Sequence, residues 1–204
     1  MRNVRVWKHT HSLGFTIPEM DKVLAPYAEK SYKKYLDEAT EMHMELLEDL
    51  KNRNAFHLAE DSAMYNTFLR KYMKKAEKYA TKKVKREFEQ GWQELEHKLN
   101  TVGSSRGDYP FVTITIGLGT SKFEKMASIT MLQVHQGGQG KEGKKIPVLF
   151  PKIVFLYDEN LHGKGCINED VFEAGIECSS KTMYPKKLGH YTVMYIANLV
   201  NLQM

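Results

Sequence analysis

Two glycine-rich segments carry the residue types that could bind a phosphate group. The segment Gly138–Lys145 (GQGKEGKK) has the glycine spacing of a P-loop, and Gly117-Leu118-Gly119 is followed closely by Lys122. Backbone N–H groups at such turns bind anions. The first segment has Lys145 where a P-loop needs a hydroxyl for magnesium, so we reject it as a P-loop. The second lacks the third glycine of a dinucleotide fingerprint, which leaves an anion site and a plain tight turn as alternatives.

Cations are concentrated in one stretch of the chain. Between residues 70 and 86 the only acid is Glu77, against nine basic residues: Arg70, Lys71, Lys74, Lys75, Lys78, Lys82, Lys83, Lys85 and Arg86. A second, smaller group comprises Lys141, Lys144 and Lys145. Basic patches attract the phosphates of nucleotides and of nucleic acids, although a solvated helix face has the same composition.

The cysteines and histidines predict neither a zinc site nor a reactive thiol. Cys166, Cys178, His162 and His190 include no CxxC pair and no paired-histidine spacing. Cys178 lies in an apolar helical pattern and is expected to be buried, whereas Cys166 is expected to be exposed in a loop.

Composition places the chain among soluble proteins. Its 204 residues are 42% hydrophobic and 27% charged, with a net charge of +5. No apolar run approaches the ~20 residues of a membrane span, and the first fifteen residues contain no apolar signal-peptide core. We therefore expect a cytoplasmic protein.

Two long amphipathic helices are predicted in the first half. The first follows a capping-box pattern at Thr16–Glu19, and Pro26 should kink it or mark its start. A polar connection at residues 51–60 separates it from a second helix over residues 62–100, which would be about 55 Å long. Helices of this length usually pair, so we expect a hairpin that dimerises as a four-helix bundle.

The second half predicts alternating strands and helices. A turn-rich linker at residues 103–110 precedes a strand at 111–116, a helix at 121–134, a strand at 153–157 and a helix at 168–178. The middle helix begins with a second capping box, Ser121–Glu124. This order is typical of a parallel sheet or of part of an α/β barrel, and two strands alone cannot close a barrel.

Four collinear segments resemble the class III anaerobic ribonucleoside-triphosphate reductases. They are IPEMDKVLAPYAEKSY (17–32), NTVGSSRGDYPF with GLGT (100–111 and 117–120), GQGK with LFPKIVF (138–141 and 149–155), and ECSSKTMYP (177–185). The resemblance implies an α/β fold in which a long helical hairpin precedes the first βα units of a ten-stranded barrel, here incomplete.

The resemblance also implies a reaction and partners. Family members reduce ribonucleoside triphosphates to deoxyribonucleotides with a glycyl radical, which a radical-SAM activase containing an iron–sulfur cluster installs using S-adenosylmethionine. The glycyl radical generates a cysteine thiyl radical, which abstracts the ribose 3′ hydrogen. We expect no cofactor on this chain itself, a homodimer through the hairpin, and neither a membrane nor a nucleic-acid partner.

A deoxynucleoside triphosphate effector binds the dimer helices of the family. Carried onto this sequence, the resemblance implies effector contacts from Glu29, Lys30, Lys33, Lys82, Lys83, Arg86, Gly117, Gly119 and Lys122. It also implies a loop on the substrate side, formed by Ser104, Ser105 and Arg106.

The sequence departs from the family where the radical chemistry resides. It has no Met-Gly-Cys-Arg string, no glycyl-radical loop and no zinc cysteines, so neither Cys166 nor Cys178 receives a catalytic role. We expect an unmatched segment at 1–15, the hairpin at 16–100, the partial barrel at 101–185 and an unmatched tail at 186–204, as a truncation or frameshift would leave. Such a piece should be inactive alone. The alternatives are a helical module that binds nucleotides or nucleic acid without catalysis, and a dimerisation module without a ligand.

Overall fold

The computed structural model describes residues 14–52, 63–101, 111–182 and 184–189. Its elements are β1 (Gly14–Ile17), α1 (Met20–Asn52), α2 (Ala63–Thr101), β2 (Phe111–Ile116), α3 (Lys122–Gly137), β3 (Lys152–Tyr157), α4 (Glu159–His162), α5 (Glu169–Thr182) and β4 (Lys186–Gly189). Contacts divide the chain into a sheet unit, residues 1–25 with 88–204, and a helical unit, residues 26–87. The division falls inside both long helices, whereas the sequence predicted boundaries near residues 16 and 100.

The strands form one parallel sheet in the order β1-β2-β3-β4. The α/β class is therefore confirmed. β2 and β3 lie where the sequence predicted strands, while β1 and β4 were not predicted as strands. Each of these two has only four residues, too few for alternation to distinguish a strand from a turn.

The capping box predicted at Thr16 is wrong. Thr16 belongs to β1, where it pairs with Thr113 of β2, so it cannot cap a helix. α1 begins instead at Met20, and the N–H of Glu19 donates to the Thr115 hydroxyl at 2.8 Å. Pro26 lies inside α1 and does not mark its start.

One face of the sheet carries the core of the sheet unit. Alternate residues of β2 and β3 are buried, as period-two geometry requires. They pack with side chains of α3 and α5, and the resulting cluster includes Val112, Ile114, Ile116, Ile153, Phe155, Ala127, Met131, Leu132, Val171 and Cys178. The intervening residues of the two strands are half-buried or exposed, so the second face is less covered.

The capping box predicted for α3 is confirmed. The Ser121 hydroxyl accepts from the N–H of Glu124, and the Glu124 carboxylate accepts from the N–H of Ser121. α3 extends to Gly137, three residues beyond its predicted end.

The helical unit is an antiparallel pair made from parts of α1 and α2. The Tyr35 hydroxyl donates to Glu87 at 2.6 Å, and the rings of His43 and Tyr72 meet edge to face at 5.0 Å. The bond to Glu87 is the main cause that raises the pKa of Tyr35 to about 12. The pairing that the apolar stripes predicted is thus present.

Candidate functional site

The candidate site is the β2–α3 loop, residues 117–121, at the carboxyl end of β2. Ligands of open parallel sheets bind beyond the carboxyl ends of the strands. The loop begins at Gly117, whose φ is +120°. A Cβ there would lie 2.8 Å from the carbonyl oxygen of Leu156, so both conformation and space require glycine.

The N–H groups of this loop bind carboxylates of the chain itself. Oδ2 of Asp21 accepts from Gly117 N–H at 3.0 Å, Gly119 N–H at 3.3 Å and the Ser128 hydroxyl at 3.0 Å. Asp21 is fully buried, and its other oxygen accepts from a backbone N–H in α1. The turn therefore has the anion-binding geometry that the sequence suggested, and an internal aspartate uses it.

The carboxylate of Glu124 binds two further N–H groups of the loop. Its Oε2 accepts from the N–H groups of Thr120 and Ser121, each at 2.8 Å. These bonds lower the pKa of Glu124, although burial is the largest single contribution and acts in the opposite direction. Four of the five N–H groups of the loop thus donate to two carboxylates of the chain.

The carbonyl groups of the loop accept hydrogen bonds from the side chains of Asn168 and His162. The Asn168 amide donates to the oxygens of Gly117 at 3.1 Å and Gly119 at 2.9 Å. Nε2 of His162 lies 2.8 Å from the same Gly117 oxygen, while its Nδ1 accepts from the N–H of Asp158 at 3.0 Å. The Gly117 oxygen can only accept, so Nε2 donates to it, whereas Nδ1 lies close to both the N–H and the carbonyl oxygen of Asp158. His162 therefore holds the backbone of the β2–α3 loop through a buried hydrogen bond.

Gly119 has no room for a side chain. A Cβ at this position would be 2.4 Å from the Glu124 Cβ and 3.0 Å from Oδ2 of Asp21. A side chain at residue 119 would therefore displace the groups that hold the loop.

A second buried polar cluster joins α2 to α3. The Glu96 carboxylate accepts from the Trp92 indole at 2.9 Å and lies 2.7 Å from Nδ1 of His135, with the side chains of Glu96 and His135 fully buried. Neither this cluster nor the Asp21 contacts were predicted from the sequence. The spacing of Trp92 and Glu96 was the only local signal, because it places them on one face of a helix.

The two cysteines differ in their environments. Cys178 is fully buried in α5, as predicted, and burial raises the pKa of its thiol to about 11. Cys166 is partly exposed and its N–H donates to the Gly163 carbonyl. Within the part of the chain that the structure describes, no three His, Cys, Asp or Glu side chains are arranged to hold a metal ion.

The residues predicted to contact an effector lie in both units. The helical unit contains Glu29, Lys30, Lys33, Lys82, Lys83 and Arg86, of which all but the half-buried Lys83 are exposed. The Lys83 ammonium lies 5.9 Å from the Tyr35 ring centroid and 5.4 Å from that of Tyr79. Gly117, Gly119 and Lys122 belong to the sheet unit, and Ser104, Ser105 and Arg106 lie outside the described residues.

The sheet unit is an α/β arrangement of parallel strands joined by helices, with a glycine loop at the carboxyl end of β2. Proteins of this class bind ligands at the carboxyl ends of their strands. The chain belongs to the anaerobic ribonucleoside-triphosphate reductase family, an oxidoreductase family whose model matches residues 8–203. The match includes most of both terminal segments that we had expected to be unmatched.

Individual relatives carry the same description. The anaerobic ribonucleoside-triphosphate reductase of Haemophilus influenzae is 33% identical over 184 residues, which are 90% of this chain and 22% of that protein. The protein of phage T4 is 32% identical over 84% of this chain and 24% of its own length. That of Escherichia coli is 32% identical over 90% of this chain and 22% of its own length. The chain thus spans less than a quarter of the length of these relatives.

None of the helices in the described residues is long and apolar enough to cross a membrane.

Replacing Asp21 with asparagine should lower the free energy of unfolding by about 3 kcal/mol. An amide would place an N–H₂ group near buried donors and remove the charge that strengthens their hydrogen bonds. Urea denaturation followed by circular dichroism measures the change. The matched control is Asp170→Asn, because Asp170 forms a half-exposed pair with Lys125 and should contribute less than about 1 kcal/mol. Equal losses in the two variants would refute a special role for Asp21.

Thiol titration should count one reactive cysteine in the folded chain and two in denaturant. The Cys178 thiol stays protonated until the pH approaches about 11, and its burial also blocks the reagent. The Cys166→Ser variant should therefore resist Ellman's reagent at pH 8 while folded. Rapid modification of that variant without unfolding would contradict the buried placement of Cys178.

Proposed function

We propose that this chain forms part of an enzyme that reduces ribonucleoside triphosphates to 2′-deoxyribonucleoside triphosphates for DNA precursor synthesis in the cytoplasm. The family match over residues 8–203 carries this proposal. Within it, the sheet supplies the first strands of a ten-stranded α/β barrel. The sequential parallel order β1-β2-β3-β4 and the less covered second face support that placement.

The radical chemistry of the family comes from a glycyl radical installed by a radical-SAM activating enzyme. The thiols of this chain do not fit a role in that step. Cys178 is buried among apolar side chains of α5 and the sheet, with its pKa raised to about 11. Cys166 sits in a loop between α4 and α5, and no catalytic role is assigned to either residue.

The exposed cations of the helical unit support binding of a deoxynucleoside triphosphate effector. Lys30 and Lys33 are exposed on α1, and Lys82 and Arg86 on α2. Lysine and arginine donate charge-assisted hydrogen bonds to phosphate, which are about twice as strong as neutral ones. The exposed Glu29 would accept from a sugar hydroxyl or a base amine. Because the N–H groups of Gly117 and Gly119 already have acceptors, the phosphate contacts are proposed for the side chains.

The helical unit also supports a homodimer. Large apolar side chains remain exposed on both of its helices, namely Tyr27, Met42, Met44, Met73 and Tyr79. Long helices that leave apolar surface uncovered commonly bury it against a second copy in a four-helix bundle.

Isothermal titration with the four deoxynucleoside triphosphates tests the effector site. At least one should bind the wild type, and Lys83→Glu and Arg86→Glu should each weaken binding tenfold or more, because each replaces attraction to phosphate with repulsion. The control Lys144→Glu makes the same charge change in an exposed loop of the sheet unit and should bind normally. A folded wild type that gives no heat with any nucleotide would refute the site.

Light scattering tests the dimer. The wild type should have twice the mass of one chain, and the double variant Met73→Lys/Tyr79→Lys should be monomeric, because two charges would be buried in the interface. Tyr72 is a poorer choice for substitution, since its ring already contacts His43 within the hairpin. A monomeric wild type at micromolar concentration would contradict this proposal.

A further inference from the structure

A basic groove lies along α2 within the helical unit. Its volume is about 560 Å³, and the lining residues are Thr67, Arg70, Lys71, Lys74, Lys75 and Lys78. Five of these six side chains are cations. The groove lies nearer the start of α2 than Lys82, Lys83 and Arg86 do. Those three residues are assigned to the effector site.

The groove belongs to a longer basic face of α2. At 100° per residue, the cations from Arg70 to Arg86, apart from Lys83, fall within an arc of about 160°. The buried residues Ala76, Ala80 and Val84 lie on the opposite side of the helix. The charges therefore form one continuous stripe, about 24 Å long, on the exposed side of α2.

Four cations of the stripe have no carboxylate partner among the described residues. Glu77, the one acid in this stretch, lies close to α1, where its charge adds to the effect of burial and raises the pKa of Tyr32. No ion pair of the described residues engages Arg70, Lys71, Lys74 or Lys78. Like charges at i, i+4 destabilise a helix, so an uncompensated row of them indicates an external anion.

We propose that this stripe binds the phosphate backbone of a nucleic acid. A duplex carries one negative charge per ~1.7 Å, and a polyanion of that density can neutralise the whole stripe at once. A single triphosphate would cover only part of it. The described lining contains no aromatic or aliphatic side chain that could stack on a base or enter a lipid layer. Recognition would thus be electrostatic and independent of sequence.

Fluorescence anisotropy with a labelled 25-nucleotide single strand and a labelled 25-base-pair duplex tests this proposal on the full chain. Both probes should bind at 50 mM salt, with affinity that falls steeply as salt rises. The double variant Lys74→Glu/Lys78→Glu should bind at least tenfold more weakly. Its log–log salt slope should also be smaller by about 1.4 to 1.8, since two phosphate contacts are lost. Circular dichroism checks that the variant keeps its helicity.

The control Lys144→Glu/Lys145→Glu changes the net charge equally in the sheet unit and should lose less than threefold. Equal losses in the two double variants would overturn the proposal, because binding would then follow net charge alone. It would also be overturned if neither probe bound, if anionic vesicles or polyglutamate bound as tightly, or if tripolyphosphate competed as well as the oligonucleotide. Titration with deoxynucleoside triphosphates separates this result from the effector site, since Lys74→Glu/Lys78→Glu should leave that heat unchanged.

Discussion

The buried carboxylate of Asp21 is the group on which the arrangement of the sheet unit depends. It lies in the first turn of α1, yet its Oδ2 binds the loop after β2 and the Ser128 hydroxyl of α3. A charge that is fully removed from water is tolerated only when hydrogen bonds replace its hydration. Four donors do so here: one is the N–H of the next residue, Lys22, and the other three lie 96 to 107 residues away, in the β2–α3 loop and in α3. The helix start, the strand end and the next helix are thereby fixed against one another.

The two units use charge in opposite ways. In the sheet unit, the buried carboxylates of Asp21 and Glu96 accept hydrogen bonds from specific donors, so they hold elements in register. In the helical unit, Arg70, Lys71, Lys74 and Lys78 of α2 lie at the surface, and no ion pair of the described residues engages them, so they are available to an external anion. The first arrangement favours one conformation of the chain, and the second favours association with something outside it.

Local patterns predicted those parts of the structure that local physics decides. The alternation in β2 and β3, the apolar stripes of α1 and α2 and the capping box at Ser121 all lie as expected. Thr16–Glu19 has the same local signature as Ser121–Glu124, but pairing with β2 draws Thr16 into a strand. The loop after β2 was recognised from its glycines. Its internal anion was not, because Asp21 is 96 residues away and nothing in the spacing links the two.

The register of β1 has a consequence for how the chain folds. Gly14 pairs with Phe111, so this parallel contact closes a segment of 97 residues (111 − 14) that includes both long helices. Closing a flexible loop of that length costs about 4 kcal/mol in chain entropy. If α1 and α2 pair first, as their local contacts allow, less of that segment remains flexible. The entropic cost of pairing β1 with β2 then falls. The helical hairpin would then form before the sheet, and β1 would pair only after β2 had been synthesised.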